Sequence, residues 1–341
     1  MKFLITGGCG FIGSNFIRHM LRALPEAEIV NVDALTYAGN LQNLTDIARD
    51  PRYAFIKADI TDAKAVMGIF EEHKPEIVLN FAAESHVDRS IEDPQVFLKT
   101  NILGTQVLLD AAKNFNVTRF IQISTDEVYG QLGAVGSFSE STPLAPRSPY
   151  SASKASADML AMAYYSTYDM PVLITRCSNN YGPYQFPEKL IPLAIINAYN
   201  YQSIPVYGDG MYVRDWLHVD DHCRAIEYVL SYGQPGEVYN IGGGTELPNI
   251  DLIKRVLKLM DRPDSLIKHV EDRPGHDRRY AIDWKKIQRD LDWHPEVNFE
   301  QGLEKTVGWY LGNTEWWNAI TSGAYRDYYD RMYSQRTEYD G

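Results

Sequence analysis

A chain of 341 residues is long enough to bury a large core, and its length suggests about two domains. Its 33 Lys+Arg against 45 Asp+Glu leave a net charge of −12, which argues against a nucleic-acid or anionic-membrane surface. Cys9, Cys177 and Cys223 are scattered and form no Cys-x-x-Cys pair, so neither a disulfide framework nor a zinc site is indicated. The apolar run after Met1 is too short for a signal peptide and no later run approaches a membrane span, so a cytoplasmic protein is expected.

Residues 2–6 read as a buried strand, followed directly by Gly7-x-x-Gly10-x-x-Gly13 and a helical pattern from Phe11 to Leu24. Glycines between a strand and a helix let the backbone approach a pyrophosphate, which the helix N-terminus then faces. A strand over Glu28–Asp33 ends in Asp33, 20 positions after Gly13 (33 − 13). A carboxylate there accepts from ribose hydroxyls and repels a 2′-phosphate, which favours NAD over NADP. Strands at 52–59, 76–82, 120–125 and 171–178 alternate with helices at 62–73, 94–115 and 149–168. Six strands alternating with helices predict an α/β fold, a doubly wound Rossmann-type parallel sheet. Residues 1–178 are therefore expected to form a nucleotide-binding domain, and 179–341 mainly a smaller mixed α/β lobe. Part of the latter, about 213–242, is expected to return to the first domain through Val238–Ile241.

Thr125-Asp126-Glu127 closes the strand Phe120–Thr125. Side chains at a strand's carboxyl end face the ligand crevice of an open α/β sheet. Two adjacent carboxyls repel each other's charge, so one suits proton donation and the other proton removal. Tyr150 and Lys154 supply a second pattern, Tyr-x-x-x-Lys, which Tyr53 and Lys57 also match. The latter pair lies along a strand, where four residues span roughly 13 Å. Tyr150 and Lys154 open a helix, where four residues rise about 6 Å and share a face. Ser148 is a plausible cap, with Pro149 at the first helical position. A Lys beside a phenol favours the phenolate, a usable base for an alcohol undergoing oxidation.

These motifs are similar to those of the extended short-chain dehydrogenase/reductase family, which contains NAD-dependent sugar-nucleotide epimerases and dehydratases. The resemblance spans essentially the whole chain. Besides the glycines and Tyr150/Lys154 it rests on residues 82–90 (Ala-Ala-Glu-Ser-His-Val-Asp-Arg-Ser), 124–130 (Ser-Thr-Asp-Glu-Val-Tyr-Gly), 176–183 and 273–276 (Arg-Pro-Gly-His). Epimerases of the family usually carry Ser or Thr and small residues where this chain has Asp126 and Glu127, so the resemblance points to its dehydratases.

The resemblance implies bound NAD and a dTDP-linked hexose as substrate. Carbon four is oxidised with Tyr150 as base and Thr125 as hydrogen-bond partner. Glu127 removes the carbon-five proton, Asp126 protonates the departing carbon-six hydroxyl, and carbon six is then reduced. Implied cofactor positions, besides Gly7, Gly10, Gly13, Asp33, Tyr150 and Lys154, are Phe11, Ile12, Thr36, Asp59, Ile60, Ala82, Ala83, Thr100 and Asn180. Implied substrate positions, besides Thr125, are Ser85, Asn179, Glu188, Lys189, Leu190, Pro205, Tyr207, Arg214, Asn249, Asp272, Arg273, His276 and Tyr280. Arg214 and Arg273 suit a diphosphate, because a guanidinium fork matches phosphate oxygens. Competing expectations are a 4-epimerase or UDP-sugar dehydratase, and, in another class, a non-catalytic NAD-binding regulator. A regulator of this fold would be expected to lose Tyr150 or Lys154.

His86, His218, His222 and His276 show no ligand spacing, so no metal is expected. Helices 94–115 and 149–168 carry apolar residues on more than one face, among them Leu108, Leu109, Ala111, Ala112, Met159, Leu160, Met162 and Ala163. A helix apolar beyond one stripe needs a second partner, and relatives pair these helices, so a homodimer is expected. The tail from Trp316 to Tyr339 reads as packing or a solvent-facing extension.

Overall fold

The computed structural model describes residues 1–322, 324–334 and 339. The expected second lobe and the aromatic tail therefore reach into positions, 323, 335–338, 340 and 341, that lie outside the described residues. Seven strands form the main sheet: β1 (Lys2–Thr6), β2 (Glu28–Asp33), β3 (Tyr53–Lys57), β4 (Ile77–Asn80), β5 (Arg119–Thr125), β6 (Val172–Cys177) and β7 (Val238–Ile241). Their order is β7-β6-β5-β4-β1-β2-β3. Every pairing is parallel, so all seven carboxyl ends share one rim. The strands are runs such as Phe3-Leu4-Ile5 and Val172-Leu173-Ile174, buried on both faces as a parallel sheet requires. β7 makes Val238–Ile241 the seventh strand, beside β6.

A buried polar ladder fixes the register of the central strands. Thr6 Oγ1 donates to Asn80 Oδ1 (2.7 Å), and Asn80 Nδ2 donates to Gln122 Oε1 (2.9 Å) and Thr105 Oγ1 (3.1 Å). A shift of one residue would turn these groups to the other face and leave them unpaired.

The rest of the chain builds a second core. Val213–His218 pairs in parallel with Asn179–Tyr181 and antiparallel with Glu246–Pro248. Ile267–Val270 pairs in parallel with Ile204–Tyr207. Helices Leu190–Tyr199, Asn249–Leu259 and Phe299–Gly312 pack around them through Ile191, Ile195, Leu252, Val256 and Leu303. Trp316 and Trp317 are anchored as packing: Trp316 Nε1 donates to Asn43 Oδ1 (2.8 Å) and Trp317 Nε1 to the Tyr310 carbonyl (3.0 Å). Among the described residues no helix is long and apolar enough to cross a membrane.

Two expectations are corrected. The single helix over 94–115 is interrupted: Pro94–Phe97 leads into a π-helical stretch, Leu98–Gly104, before Thr105–Asn114. Side-chain chemistry at Asn101 favours the interruption, because Asn101 accepts from the Glu84 amide (2.9 Å) and donates to the Glu84 carbonyl (3.0 Å) and Ser153 Oγ (2.8 Å). Such bulges recur at functional sites. Leu108, Leu109, Ala111 and Ala112, cited for a second partner, are all buried within the chain's own core. The exposed apolar residues of these segments are instead Val96, Leu98, Leu103 and Met159, with Tyr165 and Tyr168 at the end of the second helix.

Helix Pro149–Tyr168 starts where its cap signals place it. Ser148 Oγ accepts from the Ser151 amide (3.0 Å) and Ser151 Oγ accepts from the Ser148 amide (3.0 Å), a reciprocal capping box. Ser148→Ala removes one half, and the expected cost is about 1 kcal/mol of unfolding free energy in a urea titration. Because this cap sets the start of the Tyr150 helix, activity should fall together with stability.

Candidate active site

One crevice of about 310 Å³ opens along the rim of the main sheet. Every residue assigned to the cofactor in the sequence reading lines it, from Gly7, Gly10, Phe11, Ile12 and Gly13 through Asp33, Thr36, Asp59 and Ile60 to Ala82, Ala83, Thr100 and Asn180. Thr125, Asp126, Glu127, Tyr150 and Lys154 lie on the same wall, with Ser85, Asn179, Glu188 and Lys189.

The glycine corner is closed to side chains. A Cβ on Gly13 would come within 2.5 Å of the Gly7 carbonyl oxygen, and one on Gly7, whose φ is +69°, within 2.6 Å of the Ala82 amide. Backbone alone can form this turn, which leaves the start of helix Phe11–Ala23 open to a phosphate. Asp33 is fixed behind it: its two oxygens accept from the Cys9 amide (2.9 Å) and the Leu35 amide (2.8 Å), each keeping a lone pair for a ribose hydroxyl. The cradle thus fits a dinucleotide such as NAD.

Thr125 ends β5, and Asp126 and Glu127 open the short 3₁₀ turn Asp126–Tyr129. Thr125 Oγ1 lies 3.3 Å from Asp126 Oδ1 and accepts from the Glu127 amide at 3.3 Å. The same hydroxyl shares a hydrogen bond with the Tyr150 phenol, so the three groups are joined through Thr125.

The surroundings of the two carboxyls differ. Burial pushes Asp126 well above the usual carboxylate range, and the charges of Glu127 and Asp215 add to it. Burial also raises Glu127, but Arg273, Arg214 and Lys189 pull it back. Both carboxyls are raised, Asp126 more strongly, so Asp126 is the better placed of the two to hold a proton.

Tyr150 departs from the simple expectation for a Tyr/Lys pair. Burial, then Glu127, raises its phenol well above 10, against a hydrogen bond from Thr125 that lowers it. Lys154 Nζ instead donates to the Ile123 carbonyl at 2.6 Å, and burial lowers its own pKa. One helical turn further on lies Asp158, paired with Arg176 at 2.9 Å.

The second lobe brings a polar cluster to Glu127. Arg214 donates to the carbonyls of Val213 (2.8 Å) and Asp277 (2.9 Å), and lies 4.4 Å from the Tyr280 ring centre. Arg273 faces Asp88 at 3.5 Å, while its Nε is buried with no hydrogen-bond partner among the described residues. Lys189 Nζ donates to the Ser85 carbonyl (3.0 Å). Tyr207 donates to Asp88 (3.2 Å), and His276 stacks on Tyr212 and bonds to Asp272 (2.7 Å). Burial and the two arginines push His276 down to about 3, so it is neutral. Leu190 follows Lys189 at the start of the helix Leu190–Tyr199, Asn249 begins the helix Asn249–Leu259 with its amide donating to the Tyr212 carbonyl (2.9 Å), and Pro205 lies in the strand Ile204–Tyr207. Among the described residues no group of His, Cys, Asp and Glu could hold a metal ion.

Sequence reasoning missed Asp215 and Asp88. Asp215 follows Arg214 in a strand, and only the pairing of Val213–His218 with Asn179–Tyr181 carries it towards Asp126. Asp88 sits inside the motif 82–90, but its ion pair with Arg273 spans most of the chain.

A Rossmann sheet, a glycine cradle and a Tyr/Lys pair define a short-chain dehydrogenase/reductase-type nucleotide-binding enzyme scaffold. The family model described as GDP-mannose 4,6 dehydratase matches residues 4–306, and the chain belongs to that family. A dTDP-glucose 4,6-dehydratase of Shigella flexneri is 50% identical, covering 98% of this chain and 100% of its own length. The crystal structure of DesIV, the dTDP-glucose 4,6-dehydratase of Streptomyces venezuelae, with NAD and TYD bound, is similar at TM-score 0.91 and 49% identity. That match covers 94% of this chain and all of the other. A UDP-glucose 4-epimerase of Thermotoga maritima, solved with UDP-glucose, is similar at TM-score 0.86 but 30% identity, covering 92% of this chain and all of the other.

Asp215 provides a test of the site's electrostatics. Burial raises its pKa from 3.8 to about 6. A carboxyl with a raised folded pKa binds more protons folded than unfolded, so its contribution favours folding at acid pH and is lost as pH climbs from about 4 to 6. A shift of that size corresponds to about 3 kcal/mol. Asp215→Asn should flatten the unfolding free energy between pH 4 and 7 by an amount of that order. Parallel curves for the two proteins would refute it.

Proposed function

We propose that the chain is an NAD-dependent dTDP-glucose 4,6-dehydratase, a hydro-lyase giving dTDP-4-keto-6-deoxyglucose and water. The observation that carries this is the Asp126–Glu127 pair, joined through Thr125 to Tyr150 and split in proton affinity by unequal surroundings. A plain dehydrogenase or an epimerase needs no such pair.

Bound NAD, held at Asp33, Asp59 and the glycine cradle, supplies the reversible acceptance and return of hydride. Tyr150 takes the carbon-four hydroxyl proton while Thr125 bonds to that oxygen. Lys154 is a buried cation one helical turn from Tyr150. Once carbon four is a ketone, the carbon-five hydrogen is acidic enough for Glu127 to remove. Asp126 gives its proton to the carbon-six hydroxyl, which leaves as water, and the double bond so formed between carbons five and six would take the returned hydride at carbon six and a proton from Glu127 at carbon five. Arg214 and Arg273 hold the diphosphate, and the unpartnered Nε of Arg273 supports that role. On this reading residues 1–178 with about 213–242 form the NAD domain, and most of 179–341 the nucleotide-sugar lobe. Three free buried cysteines suit a reducing cytoplasm. Exposed Leu98, Leu103 and Met159 on two adjacent helical segments support a homodimer.

Incubation with dTDP-glucose and UDP-glucose side by side, with product identification, tests the reading. A 4-keto-6-deoxy sugar from the dTDP substrate is expected; an epimerised hexose would overturn it. Glu127→Gln should retain oxidation at carbon four and lose exchange of the carbon-five hydrogen with deuterated water. Asp126→Asn should slow loss of the carbon-six hydroxyl, each by about 100- to 10,000-fold. Sedimentation at micromolar concentration should give a dimer mass, and a monomer would remove the dimer from the proposal.

A further inference from the structure

The C-terminal helix Ala324–Ser334 has no part in the chemistry described so far, yet it lies against the substrate side of the crevice. Tyr325, Tyr329 and Tyr333 recur every four residues and share one face. Their rings follow one another at 6.4 and 4.8 Å. Tyr325 meets Phe186, a wall residue of the crevice, edge-on at 5.9 Å. The Tyr329 hydroxyl accepts from Asn197 Nδ2 (2.9 Å), fastening the helix to Leu190–Tyr199. Arg331 pairs with Glu92 at 3.1 Å on the exposed side.

Tyr333 connects this ladder to the site. Its ring lies 6.3 Å from that of Tyr207, and the two phenols share a hydrogen bond. Tyr207 donates in turn to Asp88 Oδ2 (3.2 Å), and Asp88 Oδ1 faces Arg273 at 3.5 Å. Arg273 is the cation that pulls the Glu127 pKa down most. A continuous path thus runs from the tail helix to the side chain beside the base.

We infer that Tyr333 is a positioning residue for the nucleotide-diphosphate half of the substrate, holding Arg273 in place through Tyr207 and Asp88. The inference rests on the proposed role of Arg273. The tyrosine spacing suits it: Tyr329 anchors the helix through Asn197, and Tyr333, one turn on, reaches Tyr207. The main effect is on affinity, since Arg273 is the proposed diphosphate partner; a smaller one reaches Glu127, whose pKa Arg273 lowers, whereas Tyr150 and Thr125 are held by other elements.

The test uses the full chain and titrates dTDP itself, alongside steady-state turnover of dTDP-glucose. Tyr333→Ala should weaken dTDP binding and raise KM by about five- to tenfold, the scale of one aromatic and hydrogen-bonded contact, with the amount of bound NAD little changed and, because Arg273 also lowers Glu127, the Glu127 limb of the kcat pH profile moved to higher pH. Tyr333→Phe, which keeps the ring and loses the hydroxyl, should fall between the two proteins. Unfolding by circular dichroism guards against collapse of the helix, and Tyr333→Phe remains informative if Tyr333→Ala fails to fold. Wild-type affinity for dTDP in both variants overturns the inference. Absence of dehydration in the wild-type protein would overturn the functional reading instead, and the dTDP titration would still decide whether the tail positions the nucleotide site.

Discussion

The site depends on an inequality between neighbours. Asp126 and Glu127 are adjacent in sequence, both are drawn out of water, and burial raises both. Left there, they would compete for one proton. The difference comes from what each faces: Asp126 has Glu127 and Asp215 as like charges and Arg214 as its named cation, while Glu127 has Arg273, Arg214 and Lys189. On the proposed mechanism this asymmetry lets Asp126 serve as the acid and Glu127 as the base.

That inequality needs both lobes. The carboxyls belong to the end of β5, whose position is fixed by parallel pairing to β4 and β6 and by the Thr6–Asn80–Gln122 ladder. The cations come from the second lobe: Lys189 before the helix Leu190–Tyr199, Arg214 in the strand Val213–His218 and Arg273 beyond Val270. A shift of either lobe by an ångström or two would weaken the Coulomb terms that separate the two protons. The segment Val213–Ile241 ties the halves together, since it begins in the small sheet and ends as β7 of the large one.

Much of this was legible in the sequence, for physical reasons. Buried parallel strands are continuous apolar runs, so Phe3–Ile5 and Val172–Ile174 announce themselves. Gly7 and Gly13 are legible because their steric demand is absolute, and Ser148-Pro149 because a cap and a helix-starting proline act locally. What stayed hidden depends on contacts distant in the chain. The π-helical stretch at Leu98–Gly104 arises where Asn101 bonds to Glu84 and Ser153, and periodicity in 94–115 carries no trace of those partners. Leu108, Leu109, Ala111 and Ala112 looked like surplus apolar residues; the sheet and neighbouring helices enclose them on every side. Asp215 and Asp88 each took their meaning from a pairing across the lobes.

Tyr150 and Lys154 show where a motif's geometry survives and its simplest electrostatic reading does not. They do share a helical face at the crevice, yet Lys154 Nζ gives one of its three donors to the Ile123 carbonyl, and burial and Glu127 push the phenol pKa up. A neutral phenol cannot accept a second proton, so the base of the proposed oxidation is the phenolate, and burial together with Glu127 works against that form. Opposing charge has to come from the crevice itself. Lys154 lies one helical turn away, Thr125 offers the phenol a hydrogen bond, and bound NAD would bring its nicotinamide cation to the same wall. On the proposed mechanism the base is therefore completed only when the cofactor is in place, which couples removal of the alcohol's proton to the presence of the group that takes the hydride.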